Sequence, residues 1–147
     1  MVKRWTLALL ISAMASSVSY AQKSRERFDP SGSFWIIADA PSGFSDFSAI
    51  NLNARRLRRL PPSGLQLNNG KSFRFQQLTV KREKFSFVTT QVRGVSYSFS
   101  GRFLKGGVFS ESVLDDQSPV LEGVLAKLVA GKKVAEAKLL FSYFGGT

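Results

Sequence analysis

The stretch "VSYSFSGRF", Val95–Phe103, decides how this chain folds. Val95, Tyr97, Phe99 and Phe103 alternate with Ser96, Ser98, Ser100 and Arg102, and Gly101 keeps the parity without adding a side chain. In an extended strand, alternation sends the large residues to one face and the polar ones to the other. A helix would scatter them around its circumference. Just upstream, "KFSFVTTQV" is rich in aromatic and β-branched residues, and "RG" separates the two runs. A short turn at Arg93-Gly94 therefore predicts a β-hairpin.

The same period extends outward. "LQLNNGKSFRFQQLTV" carries Asn-Asn-Gly between alternating segments, and these residue types tolerate the positive φ of tight hairpin turns. Parity slips at Gln76-Gln77, where one extra residue would make a β-bulge. "FWIIADA" reads as a compact apolar strand ended by "PSGFSD", and "VFSESVL" as another short strand. Two segments admit two readings. Residues 120–144 place Leu121, Val124, Leu125 and Leu128 at helical spacing, yet Ala135, Ala137, Leu139, Phe141 and Tyr143 alternate strictly, and "VAGKK" fits a turn. Two long strands joined there are the preferred reading. Residues 46–60 admit a helix capped by Ser45, or a strand in which Ile50, Leu52 and Ala54 alternate with Asn51 and Asn53. The strand is preferred here too.

The count is eight or nine strands joined by short turns, which implies antiparallel neighbours. The expected fold is an all-β antiparallel meander closing as an up-and-down barrel, with a two-layer β-sandwich as the alternative. A small outer-membrane barrel is a third and weaker option. It needs an outward apolar band, and the closing "FSYFGGT" does not end on an aromatic residue.

The N-terminus bears on where the protein works. "MVKRWTLALLISAMASSVSYAQ" has a positive start, an apolar run from Trp5 to about Ala15, and small residues Ser19 and Ala21 around Tyr20. That layout predicts a secretory signal peptide, residues 1–21, because the apolar run is short for a membrane span of ~20 residues. Residues 22–32 then read as a flexible lead-in, and 33–147 as a single β domain. The signal takes two of the 21 basic residues and none of the 10 acidic ones, so the 126 remaining residues keep a net charge of +9. The expected location is periplasmic or extracellular. With no Cys, no disulfide supports the fold, and packing of the 13 Phe must do so.

Several chemistries lack their residues. No His and no Cys leaves zinc and thiol sites almost nothing to be built from, and a Ser-His-Asp triad is impossible. Asp115-Asp116 before "QSP" reads as a solvated turn. "NNGK" and "LKGGV" lack the spacing of a phosphate loop. The chain therefore reads as a non-enzyme without metal or cofactor.

Two binding features remain. The first is an aromatic face of Tyr97, Phe99 and Phe103 with Trp35, which either fills a core or lines a cavity for a small apolar or amphipathic ligand. The second is "NARRLRRLPPSG", whose Arg55, Arg56, Arg58 and Arg59 form either a solvated rim that blunts an edge strand or a docking patch for an anionic lipid, polysaccharide or acidic protein. Lys81, Arg82, Lys84, Lys132 and Lys133 could add charge at strand ends. Nucleic acid is disfavoured, because export removes the encounter and the aromatics are explained by strand faces. A monomer is expected.

A Trp near the first strand of a small exported meander resembles lipocalin- and avidin-type barrels, and "SGSFWI" is similar to the lipocalin Gly-x-Trp. Here Gly32 and Trp35 are separated by two residues, and the last strand offers Lys138 in place of the arginine that usually partners the Trp. The resemblance implies a barrel with a ligand cavity.

Overall fold

The hydrogen-bonded strands form one continuous antiparallel sheet in a computed structural model, which describes residues 28–56, 58, 60–104 and 118–144. The strands are β1 (Gly32–Ile36), β2 (Phe47–Leu52), β3 (Gly64–Leu67), β4 (Ser72–Phe73), β5 (Phe75–Lys81), β6 (Lys84–Thr89), β7 (Val95–Phe103), β8 (Leu121–Val129) and β9 (Lys132–Phe144). Their order is β4-β3-β2-β1-β9-β8-β7-β6-β5, a meander in which the first strand pairs with the last. The two edge strands are consecutive in sequence, with Arg74 alone between them. Phe73 still pairs with Leu65 of β3, while the Arg74 carbonyl accepts a hydrogen bond from the Thr90 amide at 2.8 Å, beside β6. β4 and β5 are thus one bent stave, and the sheet is a nearly closed barrel of eight staves. An eight-stave barrel has an interior that side chains can fill, or that can hold one small ligand.

The turns follow the sequence. Arg93 and Gly94 have φ of 50° and 80°, and Ala130 and Gly131 have 48° and 77°. Two successive left-handed residues match the right-handed twist of the flanking strands. The β7–β8–β9 sheet thus resolves residues 120–144 as two strands and not a helix. Residues 47–52 are likewise a strand. Asn51 is accommodated there because its side chain accepts from Ser33 Oγ (2.7 Å) and donates to Gln66 Oε1 (2.8 Å), tying β1, β2 and β3 together. The register shift between Phe75 and Gln77 is the bulge expected from the Gln76-Gln77 slip. The proposed strand "VFSESVL", the signal peptide and Asp115-Asp116 lie outside the described residues.

The large face of Val95–Phe103 points inward. Phe34, Phe85, Phe87, Phe99, Phe103 and Phe141 are buried together with Leu65, Leu121 and Leu125. Phe85 stacks on Phe103 and Phe87 on Phe99, with centroids 5.5 and 5.4 Å apart. Each such burial contributes about 1.5–3 kcal/mol. Gly101 pairs with Gly123 across β7 and β8, and the Phe99 ring lies over them. A Cβ on Gly123 would come 2.3 Å from Phe99 Cζ, so the missing side chains make room for that ring. The apolar interior is the reverse of the polar lumen of an outer-membrane barrel. A single ordered sheet, in place of two stacked ones, sets the sandwich aside.

Candidate functional site

The barrel has two ends, set by strand direction. The lower end gathers Gly32, Leu52, Gly64, Lys81, Lys84, Phe103 and Leu121; the upper end gathers the β3–β4, β6–β7 and β8–β9 turns and the β1–β2 loop. The lower end is shut. Phe28 packs edge-on against Phe103 at 5.6 Å, and the Arg82 guanidinium lies over the Phe28 ring at 5.6 Å. Phe34 touches Phe103 and Tyr143 at 5.8 and 5.6 Å, and the Tyr143 hydroxyl donates to the Ser31 carbonyl at 2.7 Å.

The upper end is open. A mouth of about 520 Å³ is lined by Leu67, Phe73, Val95 and Tyr97, with Asp46, Lys71, Arg93 and Lys127 among the remaining lining residues. Phe73 and Tyr97 meet edge-to-face at 5.0 Å and form its floor. Burial and, second, the negative charge of Asp46 push the Tyr97 phenol above its ordinary value, so it stays neutral and able to donate. Among the described residues, no side chain hydrogen-bonds that hydroxyl. Beneath the floor the barrel is full: Phe99 contacts Phe85, Phe87 and Phe141 at 5.5, 5.4 and 5.7 Å.

The aromatic candidates separate accordingly. Tyr97 lines the mouth. Phe99 and Phe103 are 3% and 4% exposed and belong to the packed core. Trp35 lies on the outer face, 43% exposed, beside a shallow groove of about 420 Å³ shared with Ile36, Ser142, Tyr143 and Phe144. Lys138 is also outside, where it pairs with Glu122 at 3.7 Å. Glu122 accepts from Arg102 Nε at 2.7 Å, and that bond, helped by the Lys138 charge, holds its carboxyl below the usual range.

The arginine run is a loop between β2 and β3 at the lower end, and not an edge-strand rim, because β2 has partners on both sides. Asn53 pins the loop through Ser63 Oγ (2.8 Å) and the Leu60 carbonyl (3.2 Å). Arg55 pairs with Asp29 at 3.1 Å. Arg56 and Arg58 are exposed and form no ion pair among the described residues. Arg59 lies outside those residues. Lys81, Arg82 and Lys84 stand at this lower end, Lys132 and Lys133 at the upper one, so the basic strand ends do not merge into one patch.

The alternation on β8 carries a signal that composition hides. Leu121, Gly123 and Leu125 face inward, and the next residue of that parity is Lys127, the cross-strand neighbour of Tyr97. Lys71 and Arg93 reach the same mouth from turns, so only the closed fold brings them to it. Among the described residues there is no cluster of acidic side chains that could hold a metal ion, and no helix long and apolar enough to cross a membrane.

The architecture is compatible with lipocalin-like barrels. No family model matches the chain, and no curated protein or solved structure matches it either.

Proposed function

We propose that this chain is an exported, non-catalytic barrel that holds a small amphipathic molecule in its open upper end. The observation that carries the reading is the mixed lining of one pocket: apolar Phe73, Tyr97, Leu67 and Val95 beside the charged Asp46, Lys71, Arg93 and Lys127. Binding pockets combine a mostly apolar lining with a few placed polar groups. The layout of the first 21 residues supports export, and the absence of His and Cys supports a binding role over catalysis.

Native mass spectrometry of the protein, purified gently from its own compartment, tests this. A discrete added mass of a few hundred daltons is expected, lost when Val95→Trp fills the mouth and kept when Trp35→Ala empties the outer groove. An added mass that follows Trp35 and ignores Val95 would move the site to the outer face. A second reading, an anionic envelope partner at the arginine loop, is favoured by the exposed Arg56 and Arg58. It predicts binding that weakens steeply with salt and disappears when Arg55, Arg56, Arg58 and Arg59 are replaced by Gln.

A further inference from the structure

We infer that the molecule held in the mouth is a small organic anion with a compact apolar body, its charge met by Lys127, Lys71 and Arg93. This rests on the proposed binding role and specifies the class of ligand. Three cations and one carboxylate, Asp46, line the opening. Among the described residues none of the three cationic side chains forms an ion pair, although Arg55, Arg102, Lys133 and Lys138 elsewhere on the barrel all do.

Lys127 is the most telling of the three. It occupies an inward position on β8, where Leu125 and Leu121 are fully buried two and six residues further down. Lys127 is half-buried, and a lysine stem lying along apolar residues brings its charge to the edge of that surface, within reach of an anion seated in the mouth. The neutral Tyr97 hydroxyl beside it offers a hydrogen bond to the same group.

The floor sets the size of the body. Tyr97 and Phe73 close the mouth, and Phe87, Phe99 and Phe141 fill the space below. A long acyl chain has no channel to enter. A fused aromatic acid or a medium-chain carboxylate suits about 520 Å³.

The test uses two fluorescent probes that differ by one charge: anilinonaphthalene sulfonate and its neutral counterpart, N-phenylnaphthylamine. Each is titrated into the wild type, Lys127→Gln, Lys71→Gln, Arg93→Asn and Val95→Trp, with circular dichroism melts as the folding control. Asn at position 93 tolerates the left-handed turn, so that variant still decides the matter should Lys127→Gln fail to fold. The sulfonate is expected to bind at least about tenfold more tightly than the amine, as one charge-assisted hydrogen bond would give. That preference should shrink in each charge variant and in high salt, and octanoate should displace the sulfonate where octanol does not. Equal binding of both probes, unmoved by the charge variants, would overturn the anion assignment and leave the mouth as a binding site. Palmitate displacing the probe far more tightly than octanoate would overturn the compact body. Failure of both probes to bind, or binding indifferent to Val95→Trp, would overturn the binding role itself.

Discussion

At its lower end the barrel is shut by aromatic side chains, while at its upper end the same strands leave an opening. Both ends present inward-facing residues of one alternating pattern. The difference lies in what crosses them. The residues before β1 lay Phe28 against Phe103, fix Ser31 to Tyr143, and tie Asp29 to Arg55 of the β2–β3 loop. Above, three of the connections are tight turns with little chain to fold inward, and only the β1–β2 loop contributes a buried plug, Phe44. A barrel built of short hairpins leaves an end open unless a longer segment covers it, and at the open end Lys71, Arg93 and Lys127 line the mouth without ion-pair partners among the described residues.

The aromatic closure of the lower end rests most heavily on Phe103. Phe103→Ala removes the ring that Phe28, Phe34 and Phe85 all touch. Urea denaturation should show a loss of about 3–5 kcal/mol, with probe affinity at the mouth unchanged wherever the protein is folded. A matching loss of affinity would mean that the two ends are coupled.

Next comes the middle of the barrel. Gly123→Ala drives a methyl into the Phe99 ring and the Ser100 carbonyl, and overpacking of this kind costs about 1–3 kcal/mol. If Phe99 yields by moving upward, the floor under Tyr97 shifts and probe binding changes with it. An unchanged affinity would show that the floor is independent of the core.

Tyr97→Phe sharpens the contrast at the top. The phenol is held above its ordinary value of 10.0 in the folded protein, so the fold favours its neutral form. The associated stability is fully present below pH 10.0 and is lost as pH rises through the higher folded value. Melts of the wild type should therefore fall away at alkaline pH more steeply than those of Tyr97→Phe. Parallel curves would remove Tyr97 from the buried mouth.

The smallest effect concerns the outside wall, Glu122 with Arg102 and Lys138. Its carboxyl is held below 4.5, so the contribution is present above that pH and lost as pH falls through the lower folded value. Glu122→Gln should flatten the acid limb slightly, and less so in high salt because the cations are exposed. A variant as acid-sensitive as the wild type would show that the pair adds nothing.

Much of the fold was legible because its pattern is local. The period of two in Val95–Phe103, the Arg-Gly and Asn-Asn-Gly turns, and the slip at Gln76-Gln77 each depend on a few neighbouring residues. The candidate site was less so. Tyr97, Phe99 and Phe103 share one strand face in the sequence, yet position along the barrel separates the residue that lines the mouth from the two below it. The resemblance to the lipocalin Gly-x-Trp adds Trp35 to this set, whereas its parity, one residue after the buried Phe34, puts it outside. Lys127 was visible in principle as a break in the inward run of β8, once that segment is known to be a strand and not a helix.

Most of the strands, their turns and the buried face follow from side-chain alternation and backbone preference along the chain, while residues 46–60 and 120–144 admit either helix or strand until their pairing is seen. The sequence also determined that histidine and cysteine chemistry is absent. Only the tertiary structure decided which face residues meet at an opening. Lys71, Arg93 and Lys127 come from two turns and a strand separated by at least 22 positions. Barrel closure through Arg74 and the pairing of β1 with β9 bring them to one rim. Closure also moved the arginine loop to the opposite end, because alternate connections of an up-and-down barrel must lie at opposite ends.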